Sequence, residues 1–63
     1  MHPQRAELSS LATTLEDVVE RITAAAEKAD GEKDETLATD LFAVERALAG
    51  AHRRLVGAVD RLR

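Results

Sequence analysis

The chain contains no cysteine, no tryptophan and no tyrosine, one phenylalanine, one proline and three glycines among its 63 residues. Without cysteine there is no disulfide and no thiolate nucleophile or thiolate metal ligand. Two histidines, one of them at position 2, do not make a zinc ligand set. The scarcity of aromatic residues disfavours strands and leaves no aromatic cage or base-stacking platform. Long apolar runs are also missing. The longest are a few residues, Ala24–Ala26 among them, so nothing spans a bilayer, and no positively charged segment leads into an apolar one at the start. A cytoplasmic location is the default expectation, with no membrane association. The abundance of Ala, Arg and Val matches the usage of GC-rich bacterial genomes.

What is present is Ala, Leu and Val in helical register. Leu41, Val44, Leu48, Ala51, Leu55, Ala58 and Leu62 recur at strict three–four spacing, the signature of a helix with one buried seam. Upstream, Leu8, Leu11, Leu15, Val18, Ile22, Ala25 and Ala29 repeat the same spacing, with Ala12, Val19 and Ala26 widening the stripe on one side. At 100° per residue this first band covers about 140°, the width expected of a helix with two neighbours. Between the seams lies one break, Asp30-Gly31-Glu32-Lys33-Asp34. Gly31 suits the left-handed position that ends a helix, and Asp34 suits the N-cap of the next. Pro3 suits a first helical turn.

These signals predict an all-α fold: a single helical-hairpin domain over residues 1–63, with a first helix over about 4–29, a turn over 30–34 and a second helix over about 35–62. So short a turn forces the helices antiparallel, each roughly 39–44 Å long. Leu8 then comes near Leu55, Leu15 near Leu48 and Ile22 near Leu41. The alanines near the turn, Ala25, Ala26 and Ala29, permit close approach there. Arg61 and Arg63 lie at the negative end of the second helix's dipole.

A chain of this size rarely stabilises itself. Ordering costs about 1.5 kcal/mol per residue, and small scaffolds depend on a disulfide, a metal or association. Composition removes the first two, so a homodimer or another partner is expected. The second helix supports this, because Ala38, Phe42, Ala49, Val56 and Val59 add a second stripe that brings its apolar face to about 160–180°. One antiparallel neighbour cannot cover that arc. The simplest closed arrangement is a twofold pair of hairpins forming a four-helix bundle, with Ala38, Phe42, Glu45, Ala49, His52, Val56 and Val59 as the expected dimer interface.

Glu45 and His52 interrupt this face seven residues apart. They suit the rim of an interface or a register-fixing polar pair. A carboxylate-bridged di-metal site needs Glu-x-x-His, and the residue three before His52 is Ala49. No metal or other cofactor is expected. On the far side of the second helix, Gly50 and Gly57 sit among Arg46, Arg53, Arg54 and Arg61. Glycine inside a helix costs about 1 kcal/mol relative to alanine, so two of them invite a reason. This face is the candidate partner-binding surface, for a helix or for an anionic ligand gripped by the arginines.

Charge is uneven. Residues 1–31 carry three basic against six acidic side chains, residues 44–63 five basic against two acidic, and the whole chain is −3. The antiparallel fold sets the basic end of one helix beside the acidic half of the other. With no basic tail and an acidic total, general nucleic-acid binding is disfavoured. There is no Gly-rich phosphate loop and no Ser/His/Asp set on a loop, and a hairpin offers no concave interior, so no catalytic residues are assigned and the chain is expected not to be an enzyme. The expected function is that of a homodimeric hairpin acting as a protein-interaction module: an adaptor, a sequestering regulator or an assembly factor. The alternative is a small regulator that binds an anionic ligand or nucleic acid through the arginine face.

Overall fold

The computed structural model describes residues 2–62; the expectation for Arg63 lies outside them. The chain is an all-α helical hairpin of two elements, α1 (Arg5–Gly31) and α2 (Glu35–Asp60). They lie side by side in a slab whose Cα extents are 49 × 14 × 10 Å. The radius of gyration is 14.6 Å, against about 10–11 Å for a compact domain of this length. The molecule is one layer of helices.

The start of α1 is held by local bonds rather than by a side-chain cap. Gln4 occupies the N-cap without a capping bond from its side chain. The backbone N–H of Gln4 donates to His2 Nδ1 at 3.1 Å, and that of Arg5 donates to the His2 carbonyl. Pro3 sits in the turn just ahead. Ser9 and Ser10 are well inside the helix, and their carbonyls accept from the hydroxyls of Thr13 and Thr14.

The turn differs from the sequence expectation in one respect. Gly31 is the last residue of α1 and has no positive φ; the left-handed residue is Lys33, at φ 61°. The Lys33 N–H donates to the Asp30 carbonyl at 3.0 Å and the Asp34 N–H to the Ala29 carbonyl at 2.9 Å, the paired bonds of a Schellman ending. The helix thus runs two residues beyond the expected end before the chain reverses. Asp34 then caps α2 as expected, its Oδ1 accepting from the Leu37 N–H at 3.2 Å.

The hairpin contact is rotated from the expected seams. In α1 the buried or half-buried apolar residues are Leu8, Ala12, Leu15, Val19, Ile22, Ala26 and Ala29. In α2 the residues turned inward include Ala38, Leu41, Glu45, Leu48, His52, Leu55 and Val59. The central stripes are those expected, but Leu11 (47% exposed), Val18 (37%) and Val44 (43%) are not buried, and Ala25 and Ala51 are exposed as well. Periodicity fixes the apolar band; which flank of it turns inward is set by how the short connection with its left-handed Lys33 swings α2 onto α1. The flank chosen in α1 is rich in alanine, so Ala26, Ala29 and Ala38 are nearly inaccessible around the turn.

The core that results is thin. Ala12, Ala26, Ala29, Ala38 and Val59 are the buried residues among those described, and no large side chain is fully buried.

The turn makes three stability predictions for equilibrium denaturation. Lys33→Gly removes a left-handed non-glycine residue and should stabilise the fold by about 1 kcal/mol. Gly31→Ala should add about 0.5–1 kcal/mol, because a Cβ at Gly31 meets nothing within 4 Å. Asp34→Ala should cost about 1 kcal/mol. A loss of stability in Lys33→Gly would contradict the assignment of the helix end.

Candidate functional site

The face of α2 turned away from α1 carries the arginines. Arg46, Arg53, Arg54 and Arg61 are exposed, with Gly50 and Gly57 half-buried between them. By helical-wheel position Arg46 and Arg53 form one row and Arg54 and Arg61 another, about 80° apart, with the glycines in the strip between. The guanidinium groups lean back over this strip. A Cβ built on Gly50 comes 3.7 Å from Arg53 Nη2, and one on Gly57 comes 3.7 Å from Arg61 Nη1. Both are ordinary contacts with the movable ends of side chains, so nothing within the chain requires glycine at either position. Two rows of guanidinium groups flanking the glycine strip offer paired donors for carboxylate or phosphate oxygens.

The residues expected between two chains occupy several environments. Ala38 and Val59 are 4% and 7% exposed, so they are already covered by α1 within one hairpin and are not on offer to a second. Phe42, Glu45, Ala49 and His52 are half-buried, and Val56 is 38% exposed. His52 lines an open groove of about 250 Å³ with Arg5, Ser9, Thr13, Glu16, Val56 and Asp60. Glu45 and His52 follow one another along the stripe of α2 that faces α1. Among the described residues no three His, Asp or Glu side chains gather as a metal site would need.

The threonine hydroxyls are taken up locally. Thr13, Thr14 and Thr23 each donate to the carbonyl four residues back, at 3.0–3.3 Å, a pattern that holds the oxygen against its own helix. Asp17 and Arg21 form an exposed i,i+4 pair at 3.9 Å, of a kind worth a few tenths of a kcal/mol at most.

Large apolar side chains remain exposed beyond those expected in the dimer interface. Leu11, Val18, Leu37, Val44 and Val56 are the exposed large hydrophobic residues. Leu11, Val18 and Val44 belong to the expected hairpin seams. The signal for them was the width of the apolar band in both helices, which exceeds what one neighbour covers.

The glycine strip has a direct test. Replacing Gly50 and Gly57 together with Ala should raise stability by up to about 1 kcal/mol each. If the strip receives a partner closely, the same change places two methyl groups in the contact, and binding falls while stability rises. Unchanged binding in this variant, and in Arg53→Glu with Arg54→Glu, would return the strip to solvent. Comparison of the chain with protein-family models, with curated proteins and with solved structures gives no match.

Proposed function

We propose that this chain is a non-enzymatic interaction module: a helical hairpin that pairs with a second copy of itself and presents the arginine face of α2 to another protein, as an adaptor, sequestering regulator or assembly factor. The observation that carries this reading is the contrast between a buried core of four alanines and one valine and the Leu and Val side chains left in water beside it. Apolar area removed from water stabilises by about 25 cal/mol per Å². Alanine side chains supply little of that area, whereas Leu11, Val18, Leu37 and Val44 would supply much more once covered. The accessible surface points the same way. It is 4814 Å², roughly 800 Å² above the ~4000 Å² expected for a folded monomer of this mass.

The non-enzymatic part rests on shape. A slab with Cα extents of 14 × 10 Å across its long axis has no interior from which water is excluded around a titratable group, which is the condition that gives catalytic electrostatics their strength. Among the described residues no helix is long and apolar enough to cross a membrane. The arginine rows suit an acidic protein segment. Nucleic acid is the alternative occupant, and a partner fraction absorbing near 260 nm would favour it.

Sedimentation equilibrium and thermal unfolding across a concentration series test the pairing. The expected result is a dimer at micromolar concentration with an unfolding midpoint that rises with concentration, because association stabilises only the folded chain. A folded monomer whose midpoint does not change with concentration would overturn it.

A further inference from the structure

Nothing in the fold requires glycine at position 31. Its φ is not positive, it closes α1 as an ordinary helical residue, and a Cβ there would meet nothing within 4 Å. What glycine changes is the chemistry of the residue before it. An aspartate side chain can close onto the backbone nitrogen that follows it, and a Cβ on the following residue hinders that approach; glycine has none. Asp30-Gly31 is the one Asp-Gly pair in the chain, whose other aspartates precede Val18, Glu35, Leu41 and Arg61, and there is no asparagine. Asp30 is exposed. Its carboxyl has no hydrogen bond or ion pair among the described residues, whereas that of Asp34 is engaged by the Leu37 N–H at 3.2 Å.

We propose that Asp30-Gly31 is a site of spontaneous isoaspartate formation, held silent by the closed turn and released when the hairpin opens. In the reaction the Gly31 nitrogen bonds to Asp30 Cγ, the nitrogen's proton and the hydroxyl of the protonated carboxyl leave together as water, and a cyclic imide forms. Water then adds to one of its two carbonyl carbons. Where the bond between the nitrogen and the original main-chain carbon breaks, the chain continues through Cβ and Cγ, and the former backbone carbonyl is left as a free carboxylate. One water leaves and one enters, so no further reactant is needed. Imide closure requires Asp30 Cβ and the Gly31 nitrogen to be nearly eclipsed about the Cα–C bond. A helical ψ of about −42° holds them well apart, and the N–H of Gly31, a member of α1, is directed along the axis toward the carbonyl one turn back. Three bonds maintain this geometry past the helix end: Glu32 N–H to the Lys28 carbonyl at 3.0 Å, Lys33 N–H to the Asp30 carbonyl at 3.0 Å and Asp34 N–H to the Ala29 carbonyl at 2.9 Å. Ala29 is itself 3% exposed, so the pair turns about that bond only when the end of the hairpin unpacks. Opening therefore gates the chemistry. The product acts back on the fold. An added main-chain carbon between residues 30 and 31 displaces the oxygen that accepts from Lys33, the Schellman pair does not re-form, and the turn that seats α2 on α1 is lost.

The test incubates the full chain at neutral pH in two states: folded, at a concentration where circular dichroism shows the helices formed, and unfolded in guanidinium chloride. Trypsin releases residues 29–33 as one peptide between Lys28 and Lys33. Its isoaspartate form has the same mass, a different chromatographic retention and a carboxyl that isoaspartyl methyltransferase labels. Isoaspartate is expected at Asp30 in the unfolded chain, and at least about tenfold more slowly in the folded one, since opening must come first. Gly31→Ala should slow the reaction several-fold in guanidinium, where the fold plays no part. Equal rates in the two states overturn the gating. No product at Asp30 in the unfolded chain, or as much in Gly31→Ala, overturns the site. The isomerised chain, separated from the unmodified one and returned to native buffer, should have lost helical signal; full helicity there overturns the effect on the turn.

Discussion

Each helix carries an apolar band wider than one antiparallel neighbour can cover, and most of the structure follows from that mismatch. A hairpin buries the middle of both bands and one flank. The flank turned inward is lined by Ala12 and Ala26 in α1 and by Ala38 and Val59 in α2, so the helices approach closely and little volume is left between them. The flank turned outward holds Leu11, Val18 and Val44, which are 37–47% exposed. The fold thus places small residues where two helices of one chain meet and larger ones where nothing yet covers them. In a free-standing two-helix protein the reverse distribution would bury more apolar area for the same ordering cost.

The connection controls which flank is which. Its Schellman bonds, from Lys33 N–H to the Asp30 carbonyl and from Asp34 N–H to the Ala29 carbonyl, fix the direction in which the chain leaves α1, and the Asp34 cap fixes where α2 begins. A lysine in the left-handed region costs about 1–2 kcal/mol relative to the right-handed one. That strain falls on Lys33, while Gly31 two residues earlier spends its freedom in an ordinary helical position.

The architecture was legible in the residue pattern because two long bands at three–four spacing separated by one glycine-containing break admit little else. Asp34 as cap and the central stripes through Leu15 and Leu48 follow from the same reasoning. The rotation of the contact did not. A repeat of seven against 3.6 residues per turn specifies a band, and residues on both flanks of it, such as Leu11 and Ala12, satisfy the pattern equally. Glycine adopts the left-handed position without cost, which favours Gly31, but the hydrogen bonds place the reversal two residues later. The Gly50 and Gly57 strip was visible as an anomaly of composition, and the lean of Arg53 and Arg61 over it could come only from coordinates.

The central claim is that one hairpin layer does not hold its helices by itself and that folding and pairing are coupled. Far-ultraviolet circular dichroism of the wild-type chain, followed on dilution from tens of micromolar to nanomolar, tests it most directly. The account predicts that the helical signal is lost along with the dimer as concentration falls. Helicity that stays constant throughout that range would contradict it, because the alanine core would then be sufficient and the exposed leucines and valines would have no part in stability.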